Sequence, residues 1–272
     1  HRNSNMPTVL LNNHNMHYEI HGSGAPLFIS GGWGSFCHGG IGHIPAGLTD
    51  RYQVIVFDHR GLADSDDDPE MPATTDLYAT DVIALASHLG IERAHFVGIV
   101  GIGACIFQKV AIRRPDLVRS LVNSGCWARV DPYLATQMDL WLEMHDKAGF
   151  EAFQRFVVVE SFRPDFFAAA GGRLLGPSGG WKELRGNLTA HRRLTEAAKA
   201  HDTLDRLGRI TAPTLVFHNG IDRITGPRLT RPVQAGIPGA VGYEMPQAAH
   251  VVTGRDAKAE FARALLSFLA NK

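Results

Sequence analysis

The chain has 272 residues, enough for one large α/β domain or two small ones. Hydrophobic residues make up 44% and charged residues 20%, which excludes a disordered or fibrous chain and predicts a soluble globular protein with a substantial core. Lys plus Arg and Asp plus Glu are 27 each; with no basic run and no apolar stretch of membrane-spanning length, the sequence points away from nucleic acid and membrane partners.

The start, His1-Arg-Asn-Ser-Asn-Met6, is polar, and no signal peptide is read from it. Thr8–Leu11 and Met16–Glu19 alternate and are joined through Asn12-Asn13, which predicts a hairpin. Apolar runs at Pro26–Ser30 and Gln53–Phe57 read as strands, the first followed by Gly31-Gly32-Trp33-Gly34. Asp76–Leu89 has helical apolar spacing and stops at Gly90. Strand Ala94–Val97, helix Ala104–Arg114 and strand Arg119–Asn123 follow. Strands at Pro213–His218 and Gly242–Met245 and a closing amphipathic helix over Asp256–Leu269 complete the pattern. Alternation of strand and helix calls for a mostly parallel, doubly wound sheet of about eight strands.

One segment breaks the alternation. Residues 127–207 read as helical, with interruptions at Gly171-Gly172 and Gly176-Pro-Ser-Gly-Gly180, and carry Trp127, Trp141, Trp181 and several Phe. The division expected is a core of residues 1–126 and 208–272 with a helical cap of residues 127–207 over the strand ends, where an open α/β sheet places its ligand.

The stretch Ala94–Gln108 runs from an apolar strand into a helix through a glycine-dense turn. In a G-x-S-x-G nucleophile elbow the residue at the tip is strained, exposed and reactive, and the first amides of the helix point at what sits there. Here two registers remain: counting forward from Gly98 puts the tip at Val100, and counting back from Arg113-Arg-Pro115 puts it at Gly101. Neither residue can attack a substrate. Cys105 lies a turn further into the helix and is expected to be buried and inert, and Ser30 and Ser124 lack the elbow setting.

These pieces together resemble the α/β-hydrolase superfamily from about Met16 onward. Asp58-His-Arg-Gly-Leu-Ala-Asp-Ser65 is similar to its D-x-R-G-x-G-x-S segment, with Ala63 in a Gly position. Gly103–Pro115 resembles the helix after the elbow, Ala212–Asp222 the strand that delivers an acid, and Ala248-Ala-His250 the segment of the catalytic His. Within the superfamily the resemblance is nearest to the branch that opens small lactones such as 3-oxoadipate enol-lactone. It implies an α/β-hydrolase fold with a mostly parallel central sheet and an inserted helical cap.

On that resemblance His250 is the general base and Asp222 the acid that orients it, in the family's order of elbow, acid, histidine. Asp131 and Asp116 rank below Asp222. The oxyanion hole is expected from the amides of Ile102 and of Gly32 or Trp33. Ser35, Cys37 and His38 continue the Gly-rich loop toward the pocket, and Ser35, Trp127 and Arg129 are candidate substrate contacts, Arg129 for a carboxylate. The three cysteines, at 37, 105 and 126, lack metal-like spacing and fit free thiols in a reducing, cytoplasmic compartment. Most of the 14 His read as scattered surface or core residues and not as metal ligands. No metal and no cofactor are expected; a small-molecule substrate is, and a homodimer is left open.

Three readings compete. The first is an enzyme that acts on a small carbonyl compound (lactone, ester or C–C bond) through a His250–Asp222 dyad and an oxyanion hole, as a hydrolase or a cofactor-free lyase without a serine nucleophile. The second is a catalytically inactive relative that binds a small ligand. The third is a nucleophile-knockout variant of an ordinary serine hydrolase. The first ranks ahead, because a pure binder has no need of Asp222 and His250 in family positions.

Overall fold

The computed structural model describes residues 7–272; the polar start at residues 1–6 lies outside them. Strands β1 (Thr8–Leu11) and β2 (His14–His21) form the hairpin. Asn12 and Asn13 both adopt positive φ, 45° and 61°, the backbone that a two-residue type I′ turn requires and that Asn tolerates. Then come β3 (Ala25–Ser30), β4 (Tyr52–Phe57), β5 (Ala94–Gly98), β6 (Val118–Asn123), β7 (Thr214–Asn219) and β8 (Val241–Met245). The eight strands lie in the order β1-β2-β4-β3-β5-β6-β7-β8, antiparallel at β1/β2 and β2/β4 and parallel elsewhere.

The central strands are buried on both faces, and successive residues feed two cores. Phe28, Ile55, Phe96, Leu121 and Val216 pack on one side with helices α1 (Thr75–His88) and α2 (Ile102–Arg113). Leu27, Ile29, Val54, Val97, Val122 and Phe217 pack on the other, against Phe261 and Leu265 of the closing helix Arg255–Leu269. This two-sided burial is why the strands read as continuous apolar runs. Burying one such side chain is worth about 1.5–3 kcal/mol, so the strand sides alone anchor the sheet.

Between β6 and β7 lie α3 (Pro132–Ala148), α4 (Phe150–Ser161), α5 (Pro164–Leu174) and α6 (Leu188–Ala200). Gly171 and Gly172 do not interrupt the helical pattern as expected; they lie inside the last turns of α5. The break falls at Gly176–Gly180, which Gln154 fastens through bonds to Gly176 and Gly180 carbonyls of 3.0 and 2.8 Å. The segment is tied to the core by Asn187 to the Gly61 carbonyl at 3.0 Å and by Arg193 to Asp67.

A further helix, α7 (Pro227–Gly236), was not read from the sequence, where Pro232 inside it breaks the pattern. It lies between β7 and β8, and Leu229 and Val233 bury against the first core. The closing helix is therefore α8. No helix among the described residues is long and apolar enough to cross a membrane.

Candidate active site

The turn between β5 and α2 consists of Ile99, Val100 and Gly101. Gly101 has φ 69° and ψ −140°, a positive-φ backbone like that of an elbow tip, which glycine adopts without strain and a side chain would not. Its N–H donates to the Gly125 carbonyl at 2.9 Å, which fixes the turn in place. The register is therefore Gly101 and not Val100, which precedes the tip on a backbone without positive φ. Gly98 stands three residues before the tip instead of two, which leaves Ile99 in the place of the first glycine of G-x-S-x-G and Gly103 in the place of the second. The helix sits directly on the strand ends: a Cβ on Gly98 would lie 2.3 Å from the Ala104 Cα, and one on Gly103 would lie 2.4 Å from the Gly31 carbonyl oxygen.

Asp222 is in the loop after β7. One carboxylate oxygen accepts from the amides of Ile224 and Thr225 at 2.8 and 2.9 Å. The other lies 3.0 Å from His250 Nδ1 and 3.1 Å from the Thr225 hydroxyl. A carboxylate only accepts, so His250 carries its proton on Nδ1 and presents the Nε2 lone pair outward. Burial of Asp222 opposes its charge, but His250 and the amides of Ile224 and Thr225 outweigh it and hold the carboxyl below its usual value. Thr225, whose hydroxyl is also 3.0 Å from His250 Nδ1, was missed in the sequence; its signal was a Thr three residues after an Asp, the spacing of a side-chain-capped turn. The His250 loop is held by Asn219 Nδ2 to the Ala249 carbonyl at 2.9 Å and by the Val251 amide to Ser161 of α4 at 3.0 Å.

After β3, the Gly31 carbonyl accepts from the Gly103 amide at 3.0 Å and lies 3.2 Å from His59 Nε2, so the Gly-rich loop is clamped to the start of α2. Among the described residues, the amides of Gly32, Trp33 and Ile102 donate to no protein acceptor, so both alternatives for the loop donor stand open. All three residues line one cavity of about 230 Å³ together with Gly101 and His250. All four tryptophans of the chain, Trp33, Trp127, Trp141 and Trp181, line it too, so residues distant in sequence build one apolar chamber. The buried indole N–H of Trp127 meets no acceptor among the described residues.

Other expected contacts are placed differently. Arg129 does not line the cavity; it donates to Asp202 at 2.8 Å and Asp205 at 3.0 Å on the exposed surface, which uses the charge expected for a substrate carboxylate. Ser35 lines the cavity, but its hydroxyl donates to Asp58 and accepts from the Cys37 amide at 2.9 Å, so its hydrogen is committed. Cys37 and His38 do not line it. Asp131 caps α3 through the Leu134 amide at 2.7 Å, and Asp116 pairs with Arg114 at 2.7 Å, so neither serves His250. Cys105 is fully buried, and burial raises its thiol well above the usual value, which leaves it unreactive.

A family profile described as alpha/beta hydrolase fold matches residues 27–253. The chain is 31% identical over 246 residues to "Putative carbamate hydrolase RutD" of Azorhizobium caulinodans, covering 86% of this chain and 88% of that one. Among solved structures it is similar to a hydrolase from Pseudomonas aeruginosa, with 26% identity and a TM-score of 0.84 over 98% of this chain and 99% of that one. The enol-lactonase from Burkholderia xenovorans shares the fold, with a TM-score of 0.83 at 21% identity over 97% and 100% of the two chains.

Proposed function

From the premise that this chain belongs to the α/β-hydrolase family, we propose that it is an enzyme that hydrolyses a small, largely apolar carbonyl compound by direct attack of water, with no covalent intermediate. One observation carries this reading: His250, oriented by Asp222 and Thr225, shares a cavity with Gly101 and with the unpaired amides of Trp33 and Ile102. His250 Nε2 takes a proton from a water beside Gly101, on the side where a family nucleophile would project. The two amides receive the negative charge that develops on the carbonyl oxygen. The protonated His250, stabilised by Asp222, then gives its proton to the leaving group.

The absence of a covalent step is tolerable, because the oxyanion donors and binding of a serine triad retain about 10³–10⁴-fold catalysis over water when the triad is removed. The tryptophan walls favour an uncharged acyl or aryl body. A lactone or ester fits these demands, and so does a carbamate, the substrate class in the name of the Azorhizobium relative. Residues 127–207 act as the cap that closes the chamber over the substrate. The test is turnover of a panel of small lactones, esters and carbamates by the native protein and by His250→Ala. Hydrolysis lost in the variant supports the reading; ligand binding without turnover in the native protein would make the chain a binder.

A further inference from the structure

A second group of reactive side chains lies outside the cavity. The alternation of β2 places His17, Glu19 and His21 on one side of the strand. Across the sheet, Asp58 follows β4, and its amide donates to the His17 carbonyl at 3.0 Å. The loop after Trp33 brings Cys37 and His38 onto the same spot. His38 holds a positive φ of 67°, an uncommon conformation for a residue with a side chain, and its amide donates to Glu19 at 2.9 Å. The rings of His17 and His38 stack with centroids 4.8 Å apart and planes 14° from parallel.

We propose that His17, Glu19 and His38 form a binding site for a divalent transition-metal ion, zinc by the chemistry of its donors. A nitrogen of each imidazole and an oxygen of Glu19 all lie within 4.8 Å of one another. His17 Nε2 is 3.1 Å and His38 Nδ1 is 3.9 Å from the same Glu19 oxygen. Ligand atoms of a tetrahedral zinc site with bonds of about 2.0–2.1 Å stand about 3.4 Å apart, so the ring of His38 has to close by roughly half an ångström toward the carboxylate. Its other nitrogen, Nε2, faces Asp58 Oδ2 at 3.3 Å. A metal-bound imidazole is ordinarily backed by a carboxylate on its far nitrogen, which fixes the ring and raises its basicity.

A rival donor set, His17 with Cys37 and Asp58, is equally close together. All three are buried, whereas His38 is exposed and gives an ion a way in. The ion would bolt the loop that carries Trp33 to β2, and so would act on the cavity through position alone, whatever the reaction there.

Protein stripped with a chelator and titrated with zinc chloride by calorimetry should bind one equivalent per chain. His38→Ala, a change at an exposed position, should weaken that binding at least tenfold, as should Glu19→Gln, with circular dichroism unchanged. Zinc should raise the melting temperature of the native protein and not that of His38→Ala. Native protein that binds zinc no better than folded His38→Ala would overturn the site and assign the uptake to other histidines. With cobalt, a thiolate charge-transfer band abolished by Cys37→Ser would overturn the ligand set in favour of the buried one.

Discussion

Gly101→Ser places a hydroxyl at the tip of the turn, and its effect divides into two parts that the structure separates. The first is mechanical. With φ 69° and ψ −140°, any side chain at 101 is strained, and the new Cβ would lie 3.2 Å from the Gly32 Cα, so the Gly-rich loop must yield by a few tenths of an ångström. Strain of this kind costs about 1–3 kcal/mol, which lowers the melting temperature by roughly 2–5 °C in a chain of this size. Gly101→Ala carries the same strain without the hydroxyl. The second part is chemical. With His250 as base and the amides of Trp33 and Ile102 as oxyanion donors, Gly101→Ser should exceed Gly101→Ala toward p-nitrophenyl acetate by about 10²–10⁴-fold, the usual reach of a positioned base. It should also become labelled by a serine-directed phosphonate at residue 101 and lose the native reaction, because the hydroxyl fills the space of the attacking water. A Gly101→Ser protein that melts in the expected range, stays unlabelled and matches the Ala variant would refute the placement of His250 at the reacting centre.

Asp222→Asn should leave the fold intact, since an amide oxygen still accepts from Ile224 and Thr225, but it removes the acceptor that fixes the His250 tautomer; turnover should fall about 10³–10⁴-fold, read from kcat on any substrate found. Burial pushes the imidazoles of His191 and His201 down to about 3 and that of His95 to about 4, from 6.5. The unfolded chain therefore takes up these protons first, and stability, full above about pH 6.5, falls by up to about 1.4 kcal/mol per pH unit per group down to the folded values. Urea unfolding at pH 7.5 and pH 5 should differ by about 2 kcal/mol for His201 alone, and His201→Gln should flatten the slope; an unchanged slope removes that residue from the account. Arg129→Ala should change neither KM nor, by more than about 1 kcal/mol, stability, because its two partners are exposed.

The sheet was legible because buried parallel strands leave uninterrupted apolar runs, and β3 to β8 begin and end within one residue of where those runs do. His250 and Asp222 were legible through their place in the chain order, and the structure brings them to 3.0 Å. The tip was not: two glycines fit two registers, and only the backbone angle at Gly101 separates them. Arg129 looked free because its partners Asp202 and Asp205 lie 73 and 76 residues away in sequence. The helix α7 was hidden by Pro232, whose cost is met by burial of Leu229 and Val233. The histidine cluster was not legible, although His17 and His21 stand four residues apart: Glu19 shares their face only on a strand, and His38 joins them through a loop.

Hydrolysis without a covalent intermediate is tested most directly by intact-protein mass spectrometry of rapidly quenched turnover, paired with pre-steady-state product release. The native protein should show only its unmodified mass at every time point and a linear release of product with no burst. A mass increase equal to the acyl group, lodged at Ser30, Ser35, Cys105 or any other side chain and formed as fast as turnover, would contradict the claim and place a nucleophile in the chain.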